Sequence, residues 1–289
     1  EGDAPAISVG MIQQALGNAS TEKCLKVLGG EKLEDNLQRV DGAASLSLSV
    51  GRESIFWRGR YLKFSRRLPQ SPWIIDGERR GEGSIEELIT ESMKSSHQAK
   101  GCAFHAEGRE DIDVRMLGRG RTFVVEVKDP KKVDIPADAV QKAVNEAAKG
   151  LLEIREVAPS NAAAMSSLQR DAEDHRKTYI CLCWSQRELE EKDMKMLEAQ
   201  KDVEVLQKTP LRVLHRRSLA VRPRTVHWIQ ATLLNKHYFT LKVSTQAGMY
   251  VKELVHGDMG RTRPSMRELL GCQVEILQLD VSDLEDAEG

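Results

Sequence analysis

Apolar positions change their spacing several times along this chain, and each change marks an element. Ser84 precedes a stripe of Ile85, Leu88, Ile89 and Met93 at helical spacing, and Ser84-Ile85-Glu86-Glu87 fits a capping box, so a helix is predicted from 85. The stretch 122–128 is β-branched and predicts a strand, stopped by Asp129-Pro130. Ahead of it, Gly108-Arg109-Glu110-Asp111-Ile112-Asp113-Val114-Arg115 alternates, with Ile112 and Val114 on one side and two carboxylates on the other. That alternation predicts an extended strand paired with the next one. Helical spacing through Val140, Val144, Ala147, Leu151 and Ile154 predicts a helix over 138–157, followed by an exposed loop at 159–166. Residues 176–184 read as a strand and 186–200 as a charged helix. The stretches 226–233 and 237–244 alternate around Asn235-Lys236 as a hairpin. Val251, Leu254 and Val255 mark the inward face of a short helix closed by Gly257. The first 47 residues are weakly patterned, with short helices expected at 11–16 and 24–28 and a strand at 44–50. Interspersed helices and strands with late hairpins predict an α+β fold, its central sheet mixed, mainly antiparallel and flanked by helices.

Residues 51–73 differ in kind. Arg52, Arg58, Arg60, Lys63, Arg66 and Arg67 alternate with Phe56, Trp57, Tyr61, Phe64 and Trp73, which suits phosphate contact combined with base stacking. Pro69, Pro72 and Asp76-Gly77 give the stretch the look of a connector. Two regions are therefore expected: 1–80, an N-terminal accessory region with this basic-aromatic connector, and 81–289, the main domain.

At 289 residues, 40% hydrophobic and 30% charged, the chain reads as soluble and intracellular, with no apolar run long enough to span a membrane. No signal peptide is recognised, and the first residue is not Met, which suggests a fragment or a processed form. Cys24, Cys102, Cys181, Cys183 and Cys272 form no CxxC pair, as expected of a reduced compartment; Cys181 and Cys183 read as buried apolar filling of one strand face. The net charge of -1 hides a segregation. Between Val205 and Lys252 there is no acid, yet Lys208, Arg212, Arg216, Arg217, Arg222, Arg224, Lys236, Lys242 and Lys252 all occur, an electrostatic footprint for phosphate.

Candidate chemistry centres on the acidic stretch. A carboxylate held beside arginine stays ionised in a pocket and is a candidate reacting group. One reading makes Asp111 or Asp113, with Glu126 and Lys128, a metal-dependent nuclease site, with two carboxylates on adjacent strands holding Mg²⁺. A second reading is a non-catalytic RNA-binding scaffold within a larger particle.

The later motifs fit together differently. Gly-Arg-x-Asp, then Lys-x-Tyr on a strand, then Gly-x-Tyr-Val-Lys-Glu-Leu opening a helix resembles the motif series of pseudouridine synthases. The stretches 61–73, 108–118, 209–217 and 254–258 are similar to one branch, the THUMP-containing tRNA pseudouridine synthases of archaea and eukaryotes. The likeness covers about residues 50 to 280, and residues 1–47 would be a remnant of the accessory region. The resemblance implies isomerisation of uridine to pseudouridine in the T-loop of tRNA, without metal or cofactor. It places Asp111 at the essential aspartate, Tyr179 at the tyrosine that stacks on the base, Lys252 at the basic partner of the aspartate, and Leu269 or, preferably, Leu270 at the apolar residue beneath. Arg109, Arg115, Tyr250, Arg212, His215, Arg216, Arg217, Arg222, Arg224, Lys63 and Arg66 are expected to meet RNA. Met249 stands where the family usually has threonine, and Thr122 where it usually has proline; neither removes a reacting group.

Overall fold

The computed structural model describes residues 51–81, 83–174, 176–215 and 217–285. The elements expected at 11–16, 24–28 and 44–50, together with Cys24 and Arg216, lie outside the described residues. The chain divides into two units, Glu1–Val50 and Gly51–Gly289, and the stretch that reads as a connector belongs to the second.

The reason is the first strand. Strand β1 (Ile55–Lys63) carries the basic-aromatic alternation that read as a connector. Trp57, Tyr61, Leu62 and Lys63 are buried, whereas Arg58 is exposed and Arg60 half-buried. The pattern is a two-faced strand at period two, one face in the core and the other bearing arginines. After β1 the chain makes a small separate hairpin, β2 (Trp73–Ile75) and β3 (Glu78–Arg80), turning at Asp76-Gly77. Helix α1 (Ile85–His97) starts at the Ser84 cap: its side chain accepts from the Glu87 amide, and Ile85, Ile89 and Met93 are buried, as the pattern predicted.

Strand β4 (Gly101–Ala106) pairs with β5 (Arg115–Lys128), and the residues between them form a loop. The strand expected over 108–115 is therefore absent, and 122–128 continues a strand that begins at Arg115. Helix α2 (Ala137–Ala148) ends earlier than its apolar spacing suggested. Lys149 and Gly150 take positive φ, and Leu152 and Ile154 are buried in strand β6 (Leu152–Ser160) instead. Helix α3 (Ala163–Asp174) follows where a loop was expected, then strand β7 (Arg176–Ser185), helix α4 (Glu191–Glu198) and strand β8 (Val203–Lys208). Strands β9 (Val221–Asn235) and β10 (Tyr238–Thr245) make the predicted hairpin. Helix α5 (Val251–His256) buries Val251, Leu254 and Val255 and closes at a left-handed Gly257, also as predicted. Strand β11 (Thr262–Arg263), helix α6 (Met266–Leu270) and strand β12 (Val274–Glu285) complete the described chain.

The main sheet runs β11-β8-β9-β10-β7-β12-β5-β1-β6, with β4 added on β5. Every pairing is antiparallel except β12 with β5, where Asp280 and Val281 lie beside Arg115 and Met116. This is the mixed, mainly antiparallel α+β architecture expected. Cys181 and Cys183 are buried side by side on β7, filling the core as expected. No helix among the described residues is long and apolar enough to cross a membrane. The parallel seam between β5 and β12 positions the site. Opposite it, the β1–β5 ladder slips between Tyr61 and Lys63, which face Arg121 and Met116. Gly118 and Gly120 permit the slip: both have positive φ, and a Cβ on Gly120 would lie 2.7 Å from the Tyr61 carbonyl oxygen.

Candidate active site

The loop between β4 and β5 is held from beneath by buried polar groups. Glu110 is its buried carboxylate: it accepts from Arg121 Nε at 3.0 Å and from the Tyr61 hydroxyl at 3.0 Å. Arg121 also donates Nη1 to the Glu107 carbonyl at 2.6 Å, and Gln70 Nε2 donates to the Gly108 carbonyl at 2.8 Å and to the Tyr61 hydroxyl at 2.9 Å. Lys63, with no exposed surface, donates Nζ to the carbonyls of Leu68, Asp111 and Ile112, each at 3.0 Å. Arg66 donates Nη1 to the Asp113 carbonyl at 2.9 Å and pairs with Asp280 at 2.7 Å. Lys63 and Arg66 were expected to meet phosphate; Lys63 is sealed in the core, and Arg66 spends its donors on the loop and on β12.

So braced, the loop presents Asp111 and Asp113 to a cleft of about 970 Å³. Arg212 Nη1 meets Asp111 Oδ2 at 2.9 Å, and Lys252 Nζ meets the same oxygen at 3.2 Å. Lys252 also reaches both oxygens of Asp113 at 2.9 Å. Arg212 is oriented in turn by Glu253, buried on α5, through Nε–Oε1 at 2.8 Å. Gln207, buried on β8, grips the Tyr250 backbone from both sides: it accepts from the Tyr250 amide at 2.8 Å and donates to its carbonyl at 3.0 Å. That clamp fixes the start of α5 and hence Lys252. Burial alone would raise the Asp113 carboxyl, but hydrogen bonding to and charge on Lys252 outweigh it and hold the group below its ordinary value. The partner of Asp113 is thus Lys252, while Arg115 Nε lies 3.0 Å from Asp280.

The walls come from separate elements. β7 supplies Lys177 and Tyr179, β12 supplies Leu279 and Val281, and the start of α5 supplies Met249 and Tyr250. Burial pushes the Tyr179 hydroxyl up to about 12. Burial, with Arg121 nearby, draws Lys177 down to about 8. Arg109 and Arg217 are exposed at the walls, and Trp73 and Ile74 of the β2–β3 hairpin, also exposed, form part of the rim.

Seven sequence-predicted residues converge on this cleft: Asp111, Tyr179, Lys252, Tyr250, Arg109, Arg212 and Arg217. Others do not. Leu270 is buried at the end of α6 and is not among the lining residues, to which β12 contributes the apolar Leu279 and Val281. His215 is exposed but not part of the walls. Arg222 bonds Thr209 Oγ1 at 2.9 Å, and Arg224 donates to the Pro223 carbonyl at 2.7 Å beside Gly248. Glu126 of the nuclease reading accepts from Ser54 at 2.8 Å. Glu126 lies opposite Phe56 and Met116 opposite Lys63, a separation of seven β1 residues or roughly 23 Å, and no cluster of metal-ligating side chains occurs among the described residues, so Glu126 does not share an ion site with Asp113. Sequence reasoning missed Glu110, Arg121, Gln70, Glu253, Gln207 and Lys177. The Lys-x-Tyr motif contained a signal for Lys177, since residues two apart on a strand share a face.

The arrangement defines a class: a carboxylate shared between two cations, beside an aromatic ring and over an apolar floor, at the seam of a mixed sheet. The family described as "Pus10, C-terminal" matches residues 56–285, and the chain belongs to it. It is 40% identical over 245 residues to the human tRNA pseudouridine synthase Pus10, covering 84% of this chain and 46% of that protein. Similarity to the Pus10 of Thermofilum pendens is 39% over 236 residues, covering 80% of this chain and 53% of that protein. The chain thus spans about half the length of the curated relatives it matches. Among solved structures, a Cbf5-Nop10-Gar1 complex aligns with a TM-score of 0.41 at 17% identity, covering 78% of this chain and 58% of the other, a likeness too slight to bear on the fold.

Proposed function

We propose that this chain is the catalytic part of a tRNA pseudouridine synthase that isomerises a uridine of the T-loop, with Asp111 as the reacting carboxylate. The observation that carries the reading is the sharing of Asp111 Oδ2 by Arg212 and Lys252 in a cleft that also holds Tyr179. The two cations pair with the carboxylate and fix its position, and it acts at the sugar as nucleophile or base. In the isomerisation the N1–C1′ bond breaks, the uracil turns, and a C5–C1′ bond forms; C5 gives up its proton and N1 gains one. All atoms are conserved and the change is redox-neutral, so the step needs no oxidant, reductant or second substrate. The uridine leaves its stack first, and the Tyr179 ring offsets that cost by roughly 1–3 kcal/mol. Leu279 and Val281 floor the cleft beneath it and take the place proposed from sequence for Leu270. Relatives of this chain carry the name tRNA pseudouridine synthase, which supports both the reaction and the substrate.

The test is incubation with unmodified tRNA transcript, with and without EDTA, followed by chemical mapping of pseudouridine. The expected result is one modified T-loop position, equal in both arms. Tight tRNA binding with no pseudouridine would favour the scaffold reading, and modification that stops in EDTA would overturn the metal-free one.

A further inference from the structure

We infer that Lys63 is a positioning residue for the reaction: its three backbone hydrogen bonds set where the loop presents Asp111. The inference rests on the reading of Asp111 as the reacting group. An ammonium has three N–H donors, and all three are used here, on the carbonyls of Leu68, Asp111 and Ile112 at 3.0 Å each. Two of those carbonyls belong to the reacting residue and its neighbour, so the clamp acts on the backbone that carries the carboxylate. Lys63 itself has no exposed surface and cannot touch substrate. A buried cation bonded only to carbonyls is costly to keep, and a methionine would fill the same space without that cost. What methionine lacks is the ability to fix three carbonyls at once.

The surroundings of Lys63 make the role testable. Glu110, Asp111 and Asp113 face it from the loop and raise its pKa; Arg121 of β5 lowers it; neighbouring Tyr61 on β1 stays protonated, its own pKa raised. Burial is the largest influence, and the group is drawn down to about 8. Above that pH the amine keeps two N–H groups, and one of the three carbonyls loses its donor. The folded value lies below the ordinary 10.5, so between the two the unfolded chain holds more protons, and this group's contribution to stability rises with pH. Positioning therefore predicts an alkaline fall in rate without an alkaline loss of fold.

The experiment is single-turnover pseudouridine formation on tRNA transcript from pH 6.5 to 9.5, with thermal unfolding at each pH. Wild type, Lys63→Arg, Lys63→Met, Lys177→Met and Asp111→Asn are compared. Wild type should lose rate above about pH 8 while its melting temperature holds. Lys63→Arg, which does not titrate in this range, should lose that limb, and Lys177→Met should keep it. Lys63→Met should be slower by about 10²-fold at pH 7, the cost of a carboxylate displaced by about 1 Å, with tRNA affinity within about threefold of wild type. A limb that persists in Lys63→Arg, or vanishes in Lys177→Met, overturns the proposal, and the second arm stands even where Lys63→Arg does not fold. A folded Lys63→Met with wild-type rate overturns it too, provided Asp111→Asn is inert. Activity surviving in Asp111→Asn removes the reading beneath it.

Discussion

Asp111 and Asp113 stand two residues apart on one loop and share one lysine, yet a second cation distinguishes their side chains. Arg212 reaches Asp111 alone, at 2.9 Å, and Arg212 is itself fixed by buried Glu253. The more heavily braced carboxylate is the better candidate for a reacting group, because its position is set by the protein. Asp111→Asn keeps size and most hydrogen bonds while deleting charge, so it should bind tRNA within a few-fold of wild type and form no pseudouridine, read by gel shift and chemical mapping. Asp113 is 56% exposed on its side chain, so its pair with Lys252 is largely solvated. Asp113→Asn should cost less than about 1 kcal/mol of stability. The sign of its pH dependence follows from its depressed pKa: the pair's contribution is complete above the ordinary value of 3.8 and fades as pH falls through the lower folded value. A folded, inactive Asp113→Asn beside an active Asp111→Asn would reverse the assignment. The two aspartates, Lys252, Tyr179 and Arg212 were legible in sequence because motif spacing and charge segregation mark them. Lys63 was not: as one base among many in 51–73, only its burial separates it from the exposed Arg58.

The loop that carries these groups is the element that sequence pattern misread. Alternation over 108–115 fits a strand, but period two describes side-chain direction only where a neighbouring strand supplies backbone partners. Here Glu110, drawn inward by Arg121 and Tyr61, is buried as well as Val114. The same competition shortened α2, where positive φ at Lys149 and Gly150 outweighed an apolar spacing that continued to Ile154. The Glu110–Arg121 pair is almost wholly enclosed, with side chains 2% and 4% exposed. Removing one partner strands the other charge, so Arg121→Met and Glu110→Gln should each cost about 3–5 kcal/mol in denaturant unfolding. The double variant should cost clearly less than the sum, since neither charge is then left alone. Additive losses would mean that the two side chains do not depend on each other.

Across the whole molecule, the acid-free stretch from Val205 to Lys252 suggested one broad phosphate footprint, and the fold divides it. Lys236 is tied to Glu188 at 2.9 Å, Lys242 lies over the Trp228 ring, and Arg212 and Lys252 serve the carboxylates. Arg217 remains at the cleft wall, joined there by Arg109 from the loop and Lys177 from β7. Net charge of -1 thus says little about RNA affinity, because what matters is which cations surround the one cleft that holds the carboxylates. Each phosphate neutralised releases condensed counterions, so the slope of log affinity against log salt counts contacts, at roughly 0.7–0.9 per phosphate. Arg217→Ala and Arg109→Ala should each weaken tRNA binding and flatten that slope by about one contact. Lys236→Ala, which loses only an exposed pair with Glu188, should leave it unchanged. Filter binding of tRNA between 50 and 300 mM salt measures all three. A slope that responds to Lys236 as strongly as to Arg217 would place the RNA across the β9–β10 hairpin, away from Asp111, and would separate RNA binding from the chemistry proposed for this cleft.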